Sequence, residues 1–341
     1  MRFLLYSLSF IYGTIIKLRN SLFNHGILKA TKHNIPIICI GNLSVGGSGK
    51  TPHTNYIAKL LSKKYKIAIL SRGYGRKSSG FNYVNIDSNP ILIGDEPLQL
   101  KLNNPNCIVA VNNDRNKGVK TILNDKPNTN IILLDDGFQH RKIQASLNII
   151  TTPFYKPFIN DKLLPLGRLR EPASEAKRSD IILITNTPYN INDYEKKKLK
   201  EKLNLKTHQT IYFSSITYEK YKCINNNTEL KNENEYTITL VTGIANSNPL
   251  KHYLEEKGRK VNLIKFPDHH NYKLKDIKKI LLIHNNEKSS KKLILTTEKD
   301  ATKLRRFLPN FKQKIYYIAI KVKIDKNQKF NKQVLDHVRE S

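Results

Sequence analysis

The chain has 341 residues, of which 39% are hydrophobic, and its formal net charge at pH 7 is +31. This composition is typical of a globular protein, and the length excludes one small core and predicts two domains. The charge suits a negatively charged partner such as nucleic acid, an anionic membrane or a phosphorylated substrate, although compositional drift toward Lys and Asn explains it equally well.

The first predicted element is an amphipathic helix over residues 1–25. Six apolar residues recur at helical spacing and share one face: Leu4, Leu8, Ile11, Ile15, Leu18 and Leu22. The uncharged stretch at 3–16 is shorter than the roughly 20 residues that cross a bilayer, and the absence of a cleavage site after it argues against a removed signal peptide. The helix either lies in a membrane interface, with Arg2, Lys17 and Arg19 near anionic headgroups, or packs on the protein's own core. Its many aromatic residues favour the interface.

A glycine-rich loop follows a predicted strand at 35–40 and precedes a predicted helix at 53–61. We call it the phosphate loop, and its residues are Ser44, Val45, Gly46, Gly47, Ser48, Gly49, Lys50 and Thr51. Its glycines allow backbone N–H groups to face a triphosphate, while Lys50 suits the β and γ oxygens and Thr51 suits Mg²⁺. The strict motif has Gly where this chain has Ser44. A glycine-rich surface turn would not explain why Gly-Lys-Thr stands where strand periodicity changes to helix periodicity, so the loop predicts a nucleotide site.

Apolar runs and helical segments alternate along the rest of the chain, which predicts a doubly wound α/β fold. In the first unit the predicted strands are 67–70, 107–111, 131–134, 147–151 and 181–185, and the predicted helices are 115–123 and 190–206. In the second unit the predicted strands are 237–242, 261–266 and 293–297, and the predicted helices are 249–257 and 274–283. The strand-like segments 211–217, 221–224 and 314–324 are predicted to pair as a connector between the units.

Three cysteines, Cys39, Cys107 and Cys223, lie far apart in the sequence. They form neither a Cys-x-x-Cys pair nor a metal-ligand spacing, which predicts a reduced, cytosolic chain. Cys39 and Cys107 lie in apolar runs and are interpreted as buried packing residues.

Two acidic residues directly follow the predicted strand at 131–134. An acid at the carboxyl end of a strand beside a phosphate loop holds the metal in phosphoryl-transfer sites, so Asp135 and Asp136 are candidate Mg²⁺ ligands. Successive side chains of a strand point to opposite faces, so both need not reach the metal. The alternative is an Asp-Asp-Gly surface turn.

Further polar clusters follow other predicted strands. Arg72 and Arg76 flank a glycine-tyrosine segment and have guanidinium groups suited to phosphate. Asp95 and Glu96 stand at a predicted helix start, where they serve either chemistry or helix capping. The segment 266–270 carries two histidines beside an aspartate, which favours proton handling over a purely structural role.

Taken together, these motifs closely resemble the tetraacyldisaccharide 4'-kinase family, the lipid A 4'-kinases of Gram-negative bacteria. The matching segments occur in family order: Gly41-Asn-Leu-Ser-Val-Gly-Gly-Ser-Gly-Lys-Thr-Pro52, Ser71-Arg-Gly-Tyr-Gly75, Gly94-Asp-Glu-Pro97, Asp135-Asp-Gly-Phe-Gln-His140, Gly167-Arg-Leu-Arg-Glu-Pro172, Phe266-Pro-Asp-His-His270 and Thr296-Thr-Glu-Lys-Asp300. The family also has Ser at the position of Ser44. The departures lie in the Asn- and Lys-rich connecting segments.

The resemblance implies that the γ-phosphate of ATP moves to the 4'-hydroxyl of a tetraacyl glucosamine disaccharide 1-phosphate, which forms lipid IVA in lipid A biosynthesis. It implies a monomer that binds no nucleic acid and is attached peripherally to the cytoplasmic face of the inner membrane. By similarity, Asp95 takes the hydroxyl proton with His269 as its partner, and Lys50 stabilises the transferring phosphoryl group. Spacing alone does not decide between His269 and His270, and we prefer the residue next to Asp268.

The resemblance also implies a Mg²⁺ site and an acceptor site. The Mg²⁺ ligands, direct or through water, would be Thr51, Glu96, Asp135 and Asp136. The candidate acceptor-binding residues are Arg72, Tyr74, Arg115, Gln139, His140, Arg170 and Glu171.

The predicted fold is therefore a P-loop NTPase with a doubly wound, mostly parallel sheet and a second, smaller α/β domain. The predicted regions are the amphipathic helix (1–25), the P-loop kinase domain (26–207), an extended β connector (208–235), the smaller domain (236–313), and a return strand with a C-terminal tail (314–341).

Two other functions remain open from the residues alone. A nucleic-acid-directed NTPase would fit the net charge, but the basic residues do not cluster with aromatic residues in a stripe. A regulatory GTPase would need a guanine-reading motif, and in Thr297-Glu-Lys-Asp300 the Lys stands one place too late.

Overall fold

The computed structural model describes residues 2–340, with side chains from residue 4 onward. Within this range the strands are β1 (Ile37–Gly41), β2 (Ile67–Ser71), β3 (Asn82–Tyr83), β4 (Ile108–Val111), β5 (Ile131–Asp135), β6 (Leu147–Pro153), β7 (Ile181–Thr185), β8 (Thr210–Cys223), β9 (Thr237–Thr242), β10 (Val261–Lys265), β11 (Lys292–Thr297) and β12 (Ile315–Ile324). The α-helices are α1 (Arg2–Asn24), α2 (Lys50–Leu61), α3 (Pro90–Ile93), α4 (Asp95–Asn103), α5 (Arg115–Asp125), α6 (Asp193–Leu203), α7 (Asn248–Glu256), α8 (Leu274–Asn286), α9 (Glu298–Leu304) and α10 (Asn327–Glu340).

All the strands belong to one sheet, in the order β10-β9-β11-β12-β8-β7-β6-β1-β5-β2-β4-β3. The β3–β4 and β8–β12 pairs are antiparallel, and the other neighbouring strands pair in parallel. This confirms the predicted α/β class with a large, mostly parallel sheet. The phosphate loop follows β1, which lies between β5 and β6, so the loop leaves the carboxyl end of a central strand, where α/β sheets bind ligands.

The connector between the two units is a single long strand. The first part of β8 pairs in parallel with β7, and the part from Ser214 to Cys223 pairs antiparallel with β12. The apolar pattern predicted two separate segments, 211–217 and 221–224, whereas β8 runs through both. Because the sheet is continuous across the connector, the predicted domain boundaries stay a prediction.

The core fills both faces of the sheet. Strands β1, β2, β5 and β7 are buried along their whole length, as their continuous apolar runs predicted. The predicted C-terminal tail contains a helix, α10, whose Phe330, Val334 and Val338 join the core of the first unit. Their four-residue spacing is a helical signal, so this helix was predictable from the sequence.

The N-terminal helix α1 packs on the first unit through its more polar face. The Ser9 hydroxyl donates to the carbonyl of Leu163 at 3.0 Å, and the Tyr12 hydroxyl donates to the carbonyl of Arg170 at 2.8 Å. Five apolar side chains on the predicted apolar face are 44–61% exposed: Leu4, Leu8, Ile11, Ile15 and Leu18. We call these five residues the apolar face of α1. Among the described helices, none combines the length and the apolar character that a membrane-spanning helix requires.

The basic residues of α1 do not all match the prediction. Arg19 donates to the fully buried Glu171 at 2.6 Å, so the prediction that it reaches lipid headgroups is wrong. A buried carboxylate without a partner would be costly, and it therefore draws this guanidinium toward the protein. Lys17 is exposed, and the side chain of Arg2 lies outside the described residues.

Candidate active site

The phosphate loop joins β1 to α2, and its backbone has the shape that a phosphate cradle requires. Gly46 and Gly49 have φ angles of 96° and 83°, which residues with a side chain rarely adopt. The Ser48 hydroxyl accepts a hydrogen bond from Asn42 at 2.7 Å, and the Ser48 carbonyl accepts one from Thr185 at 2.9 Å. These contacts hold the loop at the N-terminus of α2, where free N–H groups and the helix dipole favour an anion.

Asp136 lies opposite the loop lysine. It follows β5 with a φ of 53°, so the chain turns at this residue instead of continuing as a strand. Its Oδ1 lies 3.7 Å from Lys50 Nζ and 2.8 Å from a guanidinium nitrogen of Arg170. Burial alone would raise the pKa of Asp136, but Lys50 and Arg170 outweigh this effect and hold the pKa at about 2. Asp136 is therefore ionised at neutral pH.

Asp135, the last residue of β5, is in a different environment. It is buried and accepts a hydrogen bond from the Thr54 hydroxyl at 2.8 Å. Burial, the charge of Glu96 and the charge of Asp136 raise the pKa of Asp135 to about 7. A cation placed among these carboxylates would relieve their repulsion and lower that pKa.

The carboxylates fit Mg²⁺ only with help from other ligands. In the described part of the chain, no three His, Cys, Asp or Glu side chains are grouped so that they could hold a metal ion. Mg²⁺ in kinases is usually held by one or two carboxylates together with phosphate oxygens and water. The mutual repulsion of Asp135, Asp136 and Glu96 is the observation that fits such a site.

A second group of charged side chains lies where the two units meet. We call it the acid–base cluster, and its members are Asp95, Asp268, His269, Lys299 and Lys303. Asp95 begins α4 and is only 7% exposed, and its carboxylate lies 3.1 Å from His269 Nδ1. Lys303 Nζ and Lys299 Nζ lie 3.6 and 3.9 Å from Asp95 Oδ2.

The pKa values within this cluster follow from its contacts. Burial would raise the pKa of Asp95, but the hydrogen bond to His269 and the two lysines hold it well below its usual range. The hydrogen bond to Asp95 raises the pKa of His269, and burial and Lys299 oppose that rise. An ionised, hydrogen-bonded carboxylate can accept a proton from a substrate hydroxyl.

The two histidines of the 266–270 segment have separate partners. His269 contacts Asp95, whereas His270 Nε2 lies 3.0 Å from Asp276 and its ring stacks on Phe266 with ring centroids 4.6 Å apart. His269 has a φ of 57°, and this turn directs it toward the first unit. The structure therefore brings His269, and not His270, to Asp95.

The candidate acceptor-binding residues fall into two groups. Arg72 and Tyr74 are exposed, and the Tyr74 ring lies 5.3 Å from the His269 ring between centroids. Arg115 is buried, and burial lowers its pKa to about 10. Four residues each keep a buried polar atom without a hydrogen-bond partner: Arg115 Nε, Gln139 Oε1, His140 Nδ1 and Arg170 Nε.

Glu171 differs from the other candidates because both of its oxygens already have partners. Arg19 and Arg178 each contact one oxygen at 2.6 Å, and the carboxylate is fully buried. In the structure it fastens α1 to the first unit, and a role in acceptor binding stays a prediction.

Sequence reasoning missed several residues that the structure brings to the site. Asn42 donates a hydrogen bond to Ser48 of the loop, and Thr54 donates one to Asp135. Lys299 and Lys303 both lie next to Asp95. The motif Thr296-Thr-Glu-Lys-Asp300 contained one of these lysines but was given no role. Only the docking of α9 against α4 reveals that role, and no local pattern encodes such a contact.

Comparison with known proteins gives consistent matches over the full length. A family model described as tetraacyldisaccharide-1-P 4'-kinase matches residues 1–339. A tetraacyldisaccharide 4'-kinase of Bacteroides fragilis is 40% identical over 99% of this chain and 93% of its own length. One of Flavobacterium johnsoniae is 37% identical over 100% of this chain and 98% of its own length. The crystal structure of LpxK from Aquifex aeolicus in complex with ATP superimposes with a TM-score of 0.78 at 30% identity and covers 99% of both chains.

Proposed function

Because the chain belongs to the tetraacyldisaccharide-1-P 4'-kinase family and is therefore a kinase of lipid A biosynthesis, we propose how its own residues carry out the reaction. The reaction transfers the γ-phosphate of ATP to the 4'-hydroxyl of a tetraacyl glucosamine disaccharide 1-phosphate. The single observation that carries the proposal is that Asp95 is in contact with His269 of the second unit, while the neighbouring Glu96 lies close enough to Asp135, beside the phosphate loop, to raise its pKa.

The phosphate loop binds the ATP phosphates. Backbone N–H groups of the loop and of the N-terminus of α2 face the phosphate oxygens, except those of Val45 and Ser48, which donate to the carbonyls of Arg168 and Gly46. Lys50 stabilises charge on the phosphoryl group during transfer. Thr51, Glu96, Asp135 and Asp136 are the side chains that would hold Mg²⁺, which would supply positive charge against the phosphate. Arg170 keeps Asp136 ionised and oriented toward this position.

Asp95 is the proposed general base. Its carboxylate is ionised, and His269 orients it by a hydrogen bond from the second unit. On attack of the 4'-hydroxyl oxygen on the γ-phosphorus, the hydroxyl proton passes to Asp95, while the bond from phosphorus to the leaving ADP oxygen breaks. Burial of Asp95 excludes water, which would otherwise compete as acceptor.

The acceptor-binding role falls to residues with free polar atoms near the carboxylates. Arg115, Gln139, His140 and Arg170 each have an unpartnered buried atom that a sugar hydroxyl or a phosphate can satisfy. Arg72 and Tyr74 lie exposed at the entrance. Glu171 would act here only indirectly, by fixing α1 next to Arg170.

The apolar face of α1 is the proposed membrane contact. Five large apolar side chains on one helix face are exposed, a pattern typical of interfacial helices. Burying such a side chain contributes about 1.5 to 3 kcal/mol, so the face is sufficient for peripheral attachment. We propose that the chain acts as a monomer at the cytoplasmic face of the inner membrane, where its acylated substrate lies.

The test of this proposal is a transfer assay with ATP labelled on the γ-phosphate. The acceptors are tetraacyl disaccharide 1-phosphate in detergent micelles, the same lipid already phosphorylated at the 4' position, and RNA. We expect label in the first acceptor only. Label in RNA, or equal label in the lipid with a blocked 4' position, would contradict the proposal.

A further inference from the structure

Lys299 lies at the junction of the two units and contacts both of them. Its Nζ is 3.2 Å from Glu96 Oε1 and 3.9 Å from Asp95 Oδ2 in the first unit. In the second unit it is 3.5 Å from Asp268 Oδ1 and 3.2 Å from His269 Nε2. The side chain is only 16% exposed, so these contacts are largely shielded from solvent.

Lys299 is held in place by the packing of α9 against α4. Neighbouring Glu298 accepts hydrogen bonds from Gln99 at 2.6 Å and Asn103 at 3.0 Å, both on α4. On the other side, fully buried Asp300 accepts hydrogen bonds from the backbone N–H of Gly243 and the Thr297 hydroxyl. Lys299 therefore occupies a defined position, unlike a lysine that moves freely in solvent.

The contact with His269 constrains the proton on the imidazole ring. A lysine ammonium can only donate hydrogen bonds, so Nε2 of His269 must be the acceptor at 3.2 Å. The hydrogen of the neutral ring is then on Nδ1, which faces Asp95 at 3.1 Å. A ring protonated at both nitrogens would place an N–H against the ammonium, which is unfavourable.

We propose that Lys299 is a positioning residue for phosphoryl transfer, whose ammonium holds His269 as the Nδ1–H tautomer aimed at Asp95. The kinetic part of this inference rests on the proposed roles of Asp95 and His269, whereas the tautomer part rests on the geometry alone. The charged and titratable groups that act on the His269 ring are Asp95 and Glu96 on α4, Lys299 on α9, the neighbouring Asp268 and, across the ring, Tyr74.

The competing explanation is an ion pair that only fastens α4 to the second unit. Such a pair would affect stability without changing the protonation of His269. The two explanations therefore differ in a spectroscopic property of one ring.

The direct test is ¹⁵N NMR of the histidine side chains in the full-length protein without nucleotide. His269→Ala assigns the ring among the ten histidines. In the wild type we expect the Nδ1–H form at a pH above the raised pKa of the ring. In Lys299→Met we expect the ring to become doubly protonated at a pH about one unit higher than in the wild type. Lys291→Met removes an exposed pair with Glu235 and should leave the His269 signals unchanged.

Kinetics on micellar substrate supply the second readout. Lys299→Met should lower kcat by about 10²-fold, as expected for a misplaced reacting group, with the KM for ATP within about twofold because the phosphate loop is untouched. Lys299→Arg, which keeps the charge, should recover part of the loss. In a His269→Ala background, Lys299→Met should cause little further loss.

Unchanged His269 signals in Lys299→Met, or an equal loss of kcat in the His269→Ala background, would overturn the inference. If Lys299→Met does not fold, Lys299→Gln carries the same test with a polar but uncharged head group. A wild-type protein without lipid kinase activity would contradict the proposed function and leave the NMR result valid. Normal activity with an unchanged ring would contradict this inference alone.

Discussion

The phosphate loop and the acid–base cluster are built in different ways. The loop takes its residues from one short stretch, and its shape depends on two glycines and the start of α2. The cluster combines Asp95 from the first unit with His269 and Lys299 from the second, which lie more than 170 residues further along the chain. The loop can form within one unit, whereas the cluster exists only when the two units pack together. The effects on kcat of substitutions within the cluster should therefore be non-additive, whereas the effects of substitutions within the loop should be additive.

The largest effect is expected from Asp95→Asn. If Asp95 only caps α4, the change costs about 1 kcal/mol of stability. If it is the general base, kcat falls by about 10²- to 10⁴-fold, because an amide cannot take up the hydroxyl proton. Steady-state kinetics and thermal unfolding of the same preparation distinguish these outcomes, and a variant with near-normal kcat would remove Asp95 from the mechanism.

The loop side is tested by Lys50→Ala. Loss of the ammonium that faces the transferring phosphoryl group should lower kcat by about 10²- to 10³-fold, while the melting temperature changes little because Arg170 still pairs with Asp136. Lys59→Ala, an exposed lysine on the same helix, is the matched control. A near-normal kcat in Lys50→Ala would contradict the role of the loop in phosphoryl transfer, and with it the comparison between the two regions.

The membrane contact is tested by changing Leu8 and Ile15 together to Asp. Two charges in the apolar face of α1 oppose insertion, so the protein should move from the membrane pellet to the soluble fraction and lose activity on micelles while still binding ATP. Changing Leu274 and Leu282, two exposed leucines of α8, to Asp adds the same charge elsewhere and should not release the protein. A Leu8 and Ile15 variant that stays in the pellet would show that another surface binds the membrane.

The smallest effect concerns acid stability on the loop side. His53 on α2 is buried between the Gly49 carbonyl and the Ser214 hydroxyl, and burial lowers its pKa to about 4. The unfolded chain binds this proton near pH 6.5, so the free energy of unfolding should fall as the pH drops from about 6.5 to 4. His53→Gln should show a smaller fall across that range in denaturant titrations. An equal fall in the free energy of unfolding for the wild type and His53→Gln would contradict the lowered pKa of His53.

Local patterns predicted the parts of the molecule that depend on neighbouring residues. Strands β7 and β9, the phosphate loop and the two acids at the end of β5 were predicted from apolar runs and motif spacing. The continuity of β8 and the position of Lys299 were not found, because each depends on pairing or docking with a distant segment. The prediction that Arg19 points toward lipid headgroups was wrong for the same reason, since its partner Glu171 lies 152 residues away.

The central claim, that residues from the two units act as one catalytic pair, is tested most directly by a double-mutant cycle of Asp95→Asn and His269→Ala. We predict that the double variant has nearly the same kcat as Asp95→Asn alone, because the second change removes the partner of a base that is already lost. Rate losses that multiply in the double variant would show that the two residues act independently and would contradict the account.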